Sequence, residues 1–180
     1  MNGFIPDKKE AQAVPYFDDV DSSEGWQGHA TSKSVTTLKA EIVKSITRLG
    51  GVVSGFQSGQ FMIDDKRRDG FQIHYAIGQP GQGMLPGRLD VAALPVRKTY
   101  RHGQEAKRRE QSLRMALYMT RNAIDGLWFL QMLSPGYAPL MPWMLARGDK
   151  TISQLWSETS TMALLLPPGE AEFVEGEIVG

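Results

Sequence analysis

Apolar residues recur along the chain with two different periods, and each switch between them marks a change of element. From Val35 the spacing is three and four residues, so Val35, Leu38, Ile42, Ile46 and Leu49 form one stripe. That stripe predicts a helix starting near Ser34 to Thr37, where hydroxyl side chains cap free N–H groups, and stopping at Gly50 and Gly51. Between Val52 and Val96 the period is two, which predicts three or four antiparallel strands. Val52 to Gln57 and Gln60 to Asp64 read as a hairpin across Ser58 and Gly59, with Asp65 to Gly70 as a second turn. Phe71, Ile73, Tyr75 and Ile77 alternate with Gln72, His74 and Ala76, giving one buried and one wetter face. The tract GQPGQGMLPG, Gly78 to Gly87, reads as a loop, and Arg88 to Val96 as the last strand, closed by Pro95.

Helical spacing returns from about Gln104 to Leu133. Leu113, Leu117, Thr120, Ile124, Leu127 and Gln131 hold the core-facing positions, while Met115, Tyr118, Met119, Trp128 and Met132 broaden the apolar surface. A helix with so broad a face packs on two sides or meets a partner. The tract SPGYAPLMP then breaks it, because proline cannot continue a helix. Trp143 to Ala146 and Ile152 to Ser157 read as short pieces around a turn from Arg147 to Lys150. Residues 1–33 read as a disordered acidic arm, since Pro6 and Pro15 interrupt any period and Asp18, Asp19, Asp21 and Glu24 cluster there. Tyr16, Phe17 and Trp26 within the arm either serve a basic partner or, the reading we prefer, pin it to the domain. Residues 169–180 form an acidic tail. The pattern as a whole is a single α+β domain over residues 34–168. In it a small antiparallel sheet of three to four strands packs on one N-terminal and one long central helix, with flexible acidic ends.

A length of 180 residues agrees with one domain, and a 41% apolar share with four Trp supplies its core. The absence of Cys excludes disulfides, thiolate metal sites and a Cys nucleophile. No apolar run has the length of a signal peptide or a membrane span, so a soluble cytoplasmic protein is expected. The formal net charge of zero conceals a segregation that matters more than the total. Residues 97–121 carry eight basic and two acidic side chains, whereas residues 1–30 carry two and six and residues 122–180 two and seven. Such a layout suggests a polyanion-binding surface, or ends that fold back on that surface and screen it; an ordinary solvated helix face is the plain alternative.

The basic centre comprises Arg97, Lys98, Arg101, Lys107, Arg108, Arg109, Arg114 and Arg121, with His102 beside it. Long cationic side chains contact phosphates, Arg forking two oxygens, and a helix N-terminus adds N–H donors. Arg114 and Arg121, seven apart, share a helical face that could track a nucleic-acid backbone. Tyr100 and Tyr118 are possible stacking rings, although Tyr118 sits among Met and Leu and suits the core better. Lys66, Arg67 and Arg68 form a smaller patch on the expected turn, where Asp64, Asp65 and Asp69 can neutralise it.

His29, His74 and His102 lie too far apart to announce a metal site, and no cofactor motif is present. His74 with Asp90 on a neighbouring strand is the one conceivable acid/base pair. The glycine-rich loop lacks the Lys-Ser/Thr of a phosphate loop, and neither GxSxG nor HExxH occurs. A non-enzymatic protein is therefore the expectation.

The stretches LGGVVSGFQSGQFMI, GRLDVAALPVR, EQSLRMALYMTRNAIDGL, MPWMLARGDKTISQLW and MALLLPPG, spread over residues 35–169, carry a resemblance. The chain resembles a group of small uncharacterised proteins of bacteriophages and prophages that share a helix, a short antiparallel sheet, a long helix and a proline-bearing C-terminal segment. The Gln79 to Met84 loop and SPGYAPLMP depart from that layout. The resemblance implies a bacterial host cell and no particular reaction. By analogy it favours an accessory protein of DNA metabolism that binds single-stranded or duplex nucleic acid through the basic centre, the acidic tail competing for the patch. The alternative is an interaction module, an inhibitor or adaptor of a host or phage enzyme. It would act through the apolar helix face and the Tyr137 to Trp143 tract, with a protein partner or a second copy.

Overall fold

A computed structural model describes residues 14–63, 65–79, 83–98, 103–134, 138–146 and 148–158. Helix α1 spans Val35–Arg48, and Ser34 caps it by accepting the Thr37 N–H through Oγ at 3.1 Å. Strands β1 (Gly51–Ile63), β2 (Lys66–Gln79) and β3 (Gly83–Ala92) form an antiparallel meander in the order β1-β2-β3. Helix α2 (Gln104–Leu133) follows, then a 3-10 turn at Met141–Trp143 and the short helix α3 (Ile152–Glu158). This is the α+β arrangement that the two hydrophobic periods predict.

The main core joins three elements. Leu38, Ile42 and Ile46 come from α1, Phe71, Ile73, Tyr75 and Ile77 from the middle strand, and Leu117 and Ile124 from α2. All are almost completely buried, because each apolar stripe has the other two to cover it. At the far end of the α1–α2 contact, Asp125 accepts from Ser45 at 2.7 Å and pairs with Arg48 at 2.5 Å and Arg121 at 3.0 Å. A second cluster accounts for Met115 and Met119 on the broad face of α2. Phe17, Val20, Leu94 and Met115 pack together there, with Trp26, Val96 and Met119 around them.

Three expectations are corrected. Over residues 14–33 the arm is folded, not disordered: it makes 3-10 turns at Phe17–Asp19 and Ser22–Glu24, and Phe17 is 1% exposed. The Phe17 N–H donates to the Pro95 carbonyl at 2.9 Å, so the aromatic does pin the arm, as the preferred reading holds. Next, Ser58 and Gly59 are not a turn but strand residues paired with Phe71 and Gly70. The Phe61 ring and the Val91 carbonyl sit against Gly70, where a Cβ would overlap both, so the glycine admits this packing and the ladder runs on to Ile63 opposite Lys66. The chain reverses at Asp65, φ 58°, a left-handed conformation that Asp tolerates. Lys66, Arg67 and Arg68 consequently open a strand instead of filling a turn.

Finally, most of the expected loop from Gly78 to Gly87 is strand, as β2 runs to Gln79 and β3 begins at Gly83. Pro86 fits β3 because that strand is an edge. Its carbonyl accepts from Leu145 at 2.9 Å on the side away from β2, where its missing N–H also falls. Past Ala92 the chain leaves the sheet, since the Ala92 and Ala93 carbonyls accept from Arg68 at 2.9 and 2.7 Å.

Candidate nucleic-acid interface

The two basic tracts, some thirty residues apart in sequence, meet in space. The hairpin tip brings Lys66 and Arg67 beside the extended segment from Pro95 to Lys98, and Tyr16 of the arm closes the third side. Together they line a groove of about 670 Å³, with Met62, Asp65 and Val96 completing it. An adjoining smaller recess is lined by Arg67, Arg68, Asp69, Lys98, Glu105 and Arg109. Segment 93–97 is held from both sides, by Ser112 donating to the Leu94 carbonyl at 2.9 Å and by the arm at Pro95. One wall of the groove is therefore tied to both α2 and the arm.

Many of its cations already have anionic or carbonyl partners. Arg97 pairs with Asp19 at 2.6 Å, and its backbone N–H donates to Asp18 at 3.2 Å. Arg108 approaches Asp18 at 3.8 Å and donates to Gln111 at 3.4 Å. Tyr16 has the Lys66 ammonium 4.7 Å and the Arg97 guanidinium 5.3 Å from its ring centre. Arg67 donates to Gln60, and Arg68 is spent on the carbonyls that end β3. Lys98 and Lys107 have no salt bridge among the described residues.

Arg109 grips Asp69 with two hydrogen bonds, Nε to Oδ2 at 2.6 Å and Nη2 to Oδ1 at 2.5 Å. The Arg109 fork first, and then the Gln60 amide, hold the Asp69 carboxyl below the ordinary carboxylate range against the opposing effect of burial. A depressed folded-state pKa contributes stability that is complete above the unfolded value and lost as pH falls through the folded one. Asp69→Asn is thus expected to lower the urea midpoint at neutral pH, with the gap to wild type closing below about pH 4.

The remaining candidates divide. Arg121 lies between Asp125 at 3.0 Å and Glu41 at 3.9 Å, where it ties α2 to α1, and it lines neither cavity. Arg114, half-buried, faces Glu110 at 3.9 Å, so these two arginines do not form an open track for a backbone. Lys107 and Arg108 border a shallow concavity on the first turns of α2. Arg101, Tyr100 and His102 lie outside the described residues, as does the C-terminal tail. Tyr118 packs against the main core and Gly28, as its apolar neighbours suggest.

The His74–Asp90 pair is not formed: Asp90 accepts instead from Arg88 at 3.1 Å and Gln154 at 3.2 Å, and His74 stands opposite Arg88 in the ladder. Beyond the expected cations the groove is lined by Tyr16, Met62, Asp65, Pro95 and Val96, none of which the sequence pattern assigns to nucleic-acid binding. An aromatic beside acids in the arm was the only signal available for Tyr16, and none existed for Met62. Among the described residues no group of three or more metal-type ligands occurs, and no helix is long and apolar enough to cross a membrane. Comparison with protein-family models, with curated proteins and with solved structures finds no match for this chain.

Proposed function

We propose that the protein binds nucleic acid through the groove between the β1–β2 tip and segment 95–98, in an accessory role in DNA metabolism. The observation that carries this reading is the convergence of Lys66, Arg67, Arg97 and Lys98, from two distant tracts, on one groove. Lys98 and the outer donors of Arg67 supply charge there, and Lys107 adds a further cation on the first turns of α2. Asp18 and Asp19 stand where phosphates would compete for Arg97 and Arg108. Screening by an acidic end thus falls, among the described residues, to the N-terminal arm. In fluorescence anisotropy, binding to oligonucleotides is expected at about 50 mM salt and to weaken linearly in log–log form as salt rises, because each phosphate contact releases counterions. Absence of binding at that salt rules the reading out.

A second reading, the interaction module, has one observation in its favour. Phe129, Leu130, Met132 and Leu133 leave 57%, 49%, 61% and 80% of their surface exposed at the end of α2. Of the Tyr137 to Trp143 tract, where it is described, Met141 is half exposed, whereas Leu140 is buried and Trp143 packs on the main core. If this end recruits a second copy, Leu133→Glu abolishes association in light scattering while the melting temperature holds. A monodisperse monomer at high concentration counts against the reading.

A further inference from the structure

We infer that the ligand of this groove is single-stranded nucleic acid, with unpaired bases resting on its apolar wall; the inference rests on the nucleic-acid reading above. The groove is not uniformly cationic. Tyr16, Met62, Pro95 and Val96 share its lining with Lys66, Arg67, Arg97 and Lys98, and Met62 is 70% exposed at the tip although folding leaves it nothing to cover. A duplex stacks its bases on one another and offers phosphates and base edges, so an apolar wall beside the cations would meet little of it. An unpaired base offers a π-face, which aromatic and apolar side chains accept while neighbouring cations follow the backbone.

The tip itself points the same way. A ribbon that enters a duplex groove carries its polar side chains outward to base edges and phosphates. Here Lys66 lies against Tyr16, Arg67 bonds to Gln60 and Arg68 is turned back to the Ala92 and Ala93 carbonyls. The cations of the tip are thus directed at the groove and at partners within the chain. Among the described residues the acids beside it are Asp65 at the turn and Asp18 and Asp19 on Arg97, and a phosphate must take the Arg97 guanidinium from Asp19.

The test is fluorescence anisotropy of the full chain with labelled oligothymidylate, oligouridylate and a mixed-sequence duplex of equal length at one salt concentration. The expected result is that one or both single strands bind at least about tenfold more tightly than the duplex, the better of the two identifying DNA or RNA as the source. Tyr16→Ala is expected to lower single-strand affinity at least about fivefold with duplex binding unchanged, and Tyr16→Phe to retain it. Met62→Ser, at an exposed position that the fold does not use, lowers single-strand affinity in the same sense and carries the test should Tyr16→Ala fail to fold. Equal or tighter duplex binding, or equal losses on both ligands in these variants, overturns the inference while leaving nucleic-acid binding intact. Failure of all three oligonucleotides to bind overturns both.

Discussion

Phe17→Ala is expected to lower the free energy of unfolding by about 3–5 kcal/mol, the range for truncating a fully buried Phe. Phe17 is 1% exposed and packs with Val20, Leu94 and Met115 in the second cluster, apart from the main core. Its ring also stacks on His29, with centroids 4.6 Å apart, so truncation removes the centre of the second cluster and loosens the arm on both sides of it. A domain of this size has about 5–15 kcal/mol in all, so the variant sits near the edge of folding. Urea unfolding with tryptophan fluorescence reads the effect, because Trp26 borders the same cluster. A loss below about 1 kcal/mol, the scale of an ordinary surface substitution, would mean that the arm is an accessory and not part of the core.

Reversing charge at Arg67 and Lys98 together is expected to reduce oligonucleotide affinity at least about 100-fold, with little change in stability. Each position loses a charge-assisted phosphate contact of about 1.5–3 kcal/mol, and tenfold in affinity corresponds to about 1.4 kcal/mol. Stability is spared because Lys98 has no salt bridge among the described residues and Arg67 is exposed, its hydrogen bond being to the side chain of an exposed Gln60. The salt dependence of what binding is left should flatten as well, since fewer counterions are released. The matched control is Arg121→Glu. That change breaks the pairing with Asp125 and Glu41, so it is expected to destabilise the α1–α2 contact while leaving affinity close to wild type in the folded fraction. Equal affinity losses in the two proteins would mean that the groove is not where the ligand lies.

The difference between Lys98 and Arg121 shows how far a count of charges goes. Both belong to the same basic tract and look equivalent along the chain. One lines the groove, and the other is drawn into an ion network with Asp125 and Glu41 from two helices. Arg97 and Asp19 are likewise distant in sequence yet pair at 2.6 Å, because Phe17 fixes where the arm lies. Pairing of this kind follows from packing, and local spacing carries no trace of it.

Ser58 and Gly59 against Asp65 make the same point for the backbone. A Ser-Gly pair has the chemistry of a turn, and a local reading places the hairpin there. Turn propensity is worth little beside a full register of cross-strand pairs, and Phe61 lying over Gly70 favours the longer hairpin that ends at Asp65. The consequence is functional as well as architectural. Only the longer hairpin extends far enough to carry Lys66 and Arg67 to the groove.

By itself the sequence determined the period of both long helices and of the middle strand, a cap within Ser34 to Thr37, both ends of the long helix, the α+β class and the presence of a basic centre between acidic flanks. Those are properties of neighbouring residues, set by backbone geometry and the drive to bury one face. The tertiary structure alone decided the strand register, the folded arm, which cations are bound by the chain's own carboxylates and which converge with Tyr16 and Met62 on one groove. Each of these depends on contacts between residues far apart in sequence, whose energies exist only after the core has brought them together.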